Sequence, residues 1–293
     1  YVPGVSYKDG GIYYEMVENS ISKAVFEAKR SDYIILCLGE TSYTEKPGDL
    51  NNLKLHDLQV KLANELSKTD KPIILILNQG RPRLITDIQG LMKGIINIYL
   101  PGNLGGNALA DIVSGVVNPS GKLPYTYPAF PNSLIPYYYK PSEVQNNSQG
   151  AYNYVGKVNN LYDFGYGLSY SDFSYSSFNI DKTEYSRSET IKISIDVTNN
   201  SDIDGKETIQ LYTSDLYASL TPDNKRLRDF KKIKINAGMT KTIKFVLPVT
   251  ELSFINTFNK NVIESGVFNI KVGDFNRDIT IKWYLLYNLY YVK

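Results

Sequence analysis

The densest group of chemically capable residues is one short segment, Gly39-Glu40-Thr41-Ser42-Tyr43-Thr44-Glu45-Lys46-Pro47-Gly48-Asp49. It sets three carboxylates, Glu40, Glu45 and Asp49, directly after the apolar run Tyr33 to Leu38. In open α/β sheets, ligands collect beyond the carboxyl ends of the strands. Carboxylates on a loop at that place are what proton transfer to and from a substrate requires. The local alternative is that Glu40 pairs with a neighbour, Asp49 makes a turn and Glu45 is solvated. Arg81 and Arg83 follow the next apolar run and are candidates either to clamp a carboxylate or sugar or to pair with nearby acids. Any of the three acids is a candidate for that work, and Tyr43 and Arg81 are weak substrate-binding candidates.

The remaining reactive residues offer less. His56 is the single histidine and Cys37 the single cysteine. These counts exclude an intramolecular disulfide framework, a cysteine zinc site and a histidine metal cluster. Cys37 lies inside an apolar run and reads as inert core, while His56 opens a helical pattern and reads as a surface residue. Gly102-Asn103-Leu104-Gly105-Gly106 precedes a helix but matches neither the dinucleotide fingerprint nor the P-loop. No G-x-S-x-G elbow is present. Lys plus Arg number 32 against 30 Asp plus Glu, a net charge of +2 that gives no reason to expect nucleic acid or an acidic membrane. No apolar run is long enough for a membrane-spanning helix. No cofactor or metal is expected.

The elements that must position the acids come from two periodicities. With 293 residues, 42% of them hydrophobic, two domains with real cores are expected. Ile21, Ala24, Val25 and Ala28 are spaced as one face of a helix, as are Leu55, Leu58, Leu62 and Leu66. Between and after them, Tyr33 to Leu38, Pro72 to Leu77 and Gly94 to Leu100 are continuous apolar runs of the kind that strands buried on both faces show. Gly105 to Ser114 reads as a further short helix. Helices alternating with buried strands predict an α/β sandwich with a mostly parallel sheet over residues 1–130. Residues 131–165, in a Pro-, Gly- and Tyr-rich region, are expected to be a linker wrapping over neighbouring surfaces. After Tyr170 the period becomes two, in Ile191, Ile193, Ile195 and Val197, in Ile243, Phe245 and Leu247, and in Phe268, Ile270 and Val272. That pattern predicts an all-β fibronectin type III-like sandwich over 166–282. The basic run Lys225 to Lys234 reads as a solvated loop leading into a strand. An aromatic tail, residues 283–293, has no assigned role. The first residue is Tyr1, and the chain reads as a segment of something longer. The sequons at Asn146 and Asn199 are no more than composition would give.

Three stretches, in order, resemble the carboxyl-terminal part of glycoside hydrolase family 3, the β-glucosidase and exo-glucanase family. The first is Ser31 to Glu40 with Tyr43-Thr44-Glu45 and Gly48-Asp49. The second runs from Leu100-Pro101-Gly102 through Gly105 to Asp111 and on to Asn118-Pro119-Ser120-Gly121-Lys122-Leu123-Pro124. The third is Phe164-Gly165-Tyr166-Gly167-Leu168-Ser169-Tyr170, followed by Phe173. The resemblance covers about residues 19–275. It implies hydrolysis of terminal β-glucosidic bonds with retention, a carbohydrate substrate, and an amino-terminal (β/α)8 barrel that supplies the nucleophile and is missing here. For the branch with a Tyr-x-Glu loop, which Tyr43-Thr44-Glu45 matches, it further implies that Glu45 is the acid/base, whereas other branches take that group from elsewhere, including a His-Asp pair in the barrel; Glu40 is implied to shape the loop. No Ser-Asp step of this chain matches the family's nucleophile. A secreted, periplasmic or lysosomal setting is usual for such proteins. Two other readings compete. A non-catalytic carbohydrate-binding or scaffolding derivative would start translation near Tyr1. A Rossmann-like nucleotide binder would gain thermal stability from nucleotides.

Overall fold

Three runs of branched aliphatic residues pair in parallel and form the sheet that carries the acidic loop. The structure, a computed structural model, describes residues 1–8, 14–42, 44–46, 48–131, 133, 135–144 and 160–282. Tyr43, the sequon at Asn146 and the aromatic tail 283–293 lie outside the described residues. The chain divides into two units, one drawn from residues 1–117, 127–134 and 159–162 and the other from 118–126, 135–158 and 163–293.

The first unit runs β1 (Val5–Tyr7), β2 (Met16–Glu18), α1 (Ile21–Ala28), β3 (Ile34–Gly39), α2 (Asp57–Ser67), β4 (Ile73–Asn78), α3 (Thr86–Gln89), β5 (Gly94–Tyr99) and α4 (Gly105–Val113), and ends with the pair β6 (Tyr127–Pro128) and β7 (Asn160–Tyr162). Its central sheet has the order β3-β4-β5, all parallel. Both predicted amphipathic helices form. In α2, Gln59, Leu62, Ala63 and Leu66 are buried, and the helix starts where His56 Nδ1 accepts the Leu58 N–H at 3.1 Å. His56 is therefore a helix cap, which fixes its ring with Nδ1 as the acceptor.

The central strand β4 is buried as predicted at Ile73, Leu75, Ile76 and Leu77, but β3 is not. Ile34, Leu36 and Leu38 are buried, whereas Tyr33 is 67% and Ile35 52% exposed, and Cys37 is exposed as well. The expectation that this run is covered on both faces, with Cys37 in the core, is corrected. β3 is an edge of the sheet, and its second face is only partly covered, with Ile35 and Cys37 exposed. An unbroken apolar run cannot distinguish an edge from a centre.

The second unit is a sandwich of two antiparallel layers. One layer is β13-β10-β8, from β8 (Phe173–Ile180), β10 (Thr190–Asn199) and β13 (Thr240–Pro248). The other is β12-β11-β16-β17-β9, from β9 (Glu184–Ser186), β11 (Gly205–Asp215), β12 (Arg226–Ile235), β16 (Gly266–Val272) and β17 (Phe275–Lys282), the last pair β17-β9 being parallel. A small hairpin joins β14 (Phe254–Ile255) to β15 (Asn261–Val262). The alternating residues of the sequence face one core: Ile191, Ile193, Ile195 and Val197 meet Ile209, Leu211, Ile270 and Val272. The basic run at 225–234 is strand β12 from Arg226 onward, which corrects the loop reading. As an edge strand it carries exposed lysines, a usual guard against edge-to-edge pairing. Asn199 is buried and donates its amide to Ile203 O at 2.8 Å and Ile235 O at 3.1 Å, so this sequon is spent on structure.

Two of the sequence motifs clasp each other in this unit. The Leu123 N–H donates to Tyr166 O and the Gly165 N–H to Leu123 O, both at 2.8 Å. Lys122 Nζ donates to Gly167 O at 2.7 Å and pairs with the buried Glu207 at 3.3 Å. Asn118 accepts from Ser169 Oγ at 2.8 Å and Tyr170 N at 2.9 Å, and its amide donates to Ser171 Oγ at 2.8 Å. A Cβ on Gly167 would lie 2.1 Å from Gly121 O, so the backbones meet only because Gly167 carries no side chain.

Candidate functional site

The register of β3 on β4 builds the site. Ile34 lies opposite Ile73 and Gly39 opposite Asn78, so the two strands end level and the segments after them leave the sheet side by side. Gly39 has φ +142°, and a Cβ there would sit 1.9 Å from Asn78 O. Only glycine makes this exit without strain. Its backbone groups are then taken up by side chains: Gln59 Oε1 accepts the Gly39 N–H at 3.0 Å, and Gly39 O accepts from Gln59 Nε2 and Tyr7 OH, both at 2.8 Å.

Glu40 follows, buried, and its carboxylate is the hub. Oε1 accepts from the backbone N–H of Gly80 at 3.1 Å and of Arg81 at 2.8 Å. Oε2 accepts from Arg81 Nη2 at 2.8 Å, Arg81 Nε at 3.1 Å and Arg83 Nη1 at 3.1 Å. Burial pushes the Glu40 pKa up, but the hydrogen bonds from Arg81 and Arg83 outweigh it and hold the carboxyl below its ordinary value. Glu40 is thus a fixed anion and unsuited to donate a proton. This agrees with the shaping role that the resemblance implies.

Each arginine carries the hub to a different part of the chain beyond β3. Arg81 Nη1 donates to Gly48 O at 2.9 Å. Arg83 Nε donates to Leu53 O at 3.2 Å and Nη2 to Lys54 O. Arg83 is itself braced, its N–H on Gln79 Oε1 at 3.2 Å and its carbonyl on Tyr127 OH. Burial pushes the Tyr127 phenol up to about 12, so it stays a neutral donor. The two arginines were visible in sequence as possible clamps. That both converge on Glu40 depends on the register and was not.

The loop ends in an exposed Glu45, whose carboxylate meets no partner among the described residues. Glu45 O accepts the Gly48 N–H, closing a tight turn. Beside the hub lies an open cleft of about 380 Å³, lined by Asp49, Asn51, Asn52, His56, Asp57 and Arg81 among others. The structure therefore brings together Glu40, Asp49, Arg81 and Arg83, and sets Glu45 on the adjoining tip rather than in the cleft wall. Asn51, Asn52 and Asp57 were not singled out from the sequence, where nothing distinguishes them from ordinary turn and cap residues. Among the described residues, no group of three His, Cys, Asp or Glu side chains is placed to hold a metal ion. No described helix is long and apolar enough to cross a membrane.

Residues 6–170 match the glycosyl hydrolase family 3 C-terminal domain, and residues 207–275 match the fibronectin type III-like domain. A lysosomal beta glucosidase of Dictyostelium discoideum is 36% identical over 88% of this chain, and a beta-xylosidase of Formosa agariphila is 33% identical over 92%. The chain spans 31% and 37% of the length of these two curated relatives. The crystal structure of a beta-glucosidase from Listeria innocua in complex with glucose superposes with a TM-score of 0.85 at 28% identity, covering 94% of this chain and 40% of that one. The parallel sheet, the sandwich that follows it and the matched domains agree: the chain belongs to glycosyl hydrolase family 3, of which it carries the C-terminal α/β domain followed by a fibronectin type III-like domain.

Proposed function

We propose that this chain supplies the proton donor of a retaining β-glycosidase acting on terminal β-glucosidic bonds of glucosides and oligo- or polysaccharides. Glu45 is the acid/base, and a (β/α)8 barrel in the same protein brings the nucleophile. The observation that carries the reading is the contrast between two glutamates five residues apart. Glu40 is buried and fully paired, while Glu45 stands exposed on a loop held from below. A group that must reach a sugar on another domain has to be of the second kind. The beta-glucosidases among the similar proteins support the substrate class.

Retention requires two carboxyl groups about 5 to 5.5 Å apart across the sugar. In the first step the barrel carboxylate bonds to the anomeric carbon while the Glu45 carboxylic acid gives its proton to the departing glycosidic oxygen. In the second, the Glu45 carboxylate takes a proton from the attacking water, and the ester bond to the barrel breaks. Closing the barrel over the loop desolvates Glu45, which favours the protonated form needed for the first step.

The test joins this chain to the region of the Listeria innocua beta-glucosidase that precedes its matching part. Glu45→Gln in that fusion is expected to cut turnover of an alkyl β-glucoside by about 10² to 10⁴, the usual range for a lost general acid. A dinitrophenyl glucoside, whose leaving group needs no proton, should form the glycosyl-enzyme normally, and azide should speed its breakdown. Unchanged turnover of the alkyl glucoside removes Glu45 from the role.

A further inference from the structure

We propose that Arg81 is a positioning residue for Glu45 and not a ligand of the sugar; the catalytic purpose rests on the acid/base reading above. The guanidinium is committed on both of its edges. Nε and Nη2 lie on the buried Glu40 carboxylate at 3.1 and 2.8 Å, and Nη1 lies on Gly48 O at 2.9 Å. Gly48 is the closing residue of the turn that holds Glu45, because its N–H returns to Glu45 O. The turn is thus bonded through one residue, Gly48, to a charged group that is anchored in the sheet. On the other flank, Thr44 packs on Gly80, where a Cβ would come within 2.6 Å of Thr44 Cγ2. Glu45 sits between these two anchors, and both belong to the segment that follows β4.

Arg83 provides the internal control. It binds the same carboxylate oxygen at 3.1 Å, yet its remaining donors go to Leu53 O and Lys54 O, beyond the turn. Loss of either arginine weakens the hub, but only loss of Arg81 frees Gly48. Lysine in place of Arg81 separates charge from clamp. One ammonium can neutralise Glu40, but it does not present a planar fork to two acceptors on opposite sides.

The experiment has two arms. In the first, amide hydrogen exchange is followed across the 293-residue chain for the unmodified protein, Arg81→Lys and Arg83→Lys. Arg81→Lys is expected to speed exchange of the Gly48 amide, which bonds back to Glu45 O, about tenfold, as loss of a charge-assisted bond should, with β3 and β4 amides within about twofold. Arg83→Lys should loosen 53–54 and leave the Gly48 amide protected. Unchanged exchange of the Gly48 amide in Arg81→Lys overturns the proposal, and so does loss of protection throughout β3 and β4, which would make Arg81 a general stabiliser. In the second arm, the barrel fusion carrying Arg81→Lys is expected to lose roughly a hundredfold in kcat on the alkyl glucoside, the scale of a small misplacement of a catalytic group. The loss on the dinitrophenyl glucoside should be smaller and KM little changed. A rise in KM on both substrates with an undisturbed loop marks Arg81 as a sugar ligand and overturns the proposal. Full activity of Glu45→Gln would overturn the acid/base reading, while the exchange arm alone would still decide whether Arg81 holds the turn.

Discussion

A single carboxylate, Glu40, receives two backbone N–H groups and two guanidinium groups in a place with almost no solvent. A buried glutamate held by one buried and one partly buried arginine stabilises a fold only while every member is present; removing one leaves uncompensated charge. Glu40→Gln is therefore expected to cost on the order of 3 kcal/mol, read as a drop in the midpoint of denaturant unfolding of the first unit. The same residue sets an acid limit. Its folded pKa lies below the ordinary 4.5, because the arginine bonds outweigh burial. Its contribution is then complete above about 4.5 and is lost as pH falls through the depressed folded value. Stability should fall below pH 4.5 with a component that Glu40→Gln abolishes; an identical acid limb in the variant would show that other groups set it. At this scale the sequence was informative about residue type. An acid after one strand and two arginines after the next stood out by type, and the structure brings the three together. The sequence was silent on partnership, since Glu40 and Arg81 are 41 residues apart and meet only through the register of β3 on β4.

Elements were legible wherever a periodicity has one cause. The alternating strands of the sandwich and the amphipathic helices α1 and α2 were readable because each buries one face. The short pieces β1, β2 and α3 were not, since three or four residues carry no period. β3 shows the opposite limit: its run is apolar throughout, yet Ile34, Leu36 and Leu38 face the core while Ile35 and Cys37 face outward. Composition reports that a face is apolar, not that the same chain covers it. Cys37 makes this measurable. Desolvation by its neighbours pushes the thiol pKa up from 9.0, so the thiolate is scarce at neutral pH although the sulfur can be reached. The native chain should take up one equivalent of a thiol-reactive dye without denaturant, at a rate still climbing above pH 9.0. Labelling that waits for unfolding would return Cys37 to the core.

At the scale of the molecule, the proposed acid/base role requires a divided site. The chain invests a buried ion cluster, a strained-for-others glycine exit and a helix-borne glutamine in holding one turn, and the turn's own carboxylate then has no partner among the described residues. Rigidity beneath an unpartnered acid is useful if the reacting bond is presented by another body, because a general acid acts only within hydrogen-bond reach of the oxygen it protonates. Double displacement cannot run on that acid alone, since it needs an opposing carboxylate on the anomeric carbon. The purified 293-residue chain is accordingly expected to release no nitrophenol from a nitrophenyl β-glucoside above the rate of buffer, while the barrel fusion does. Turnover by the isolated chain that disappears in Glu45→Gln would mean that the nucleophile is already present in these residues, and the divided site would have to be abandoned.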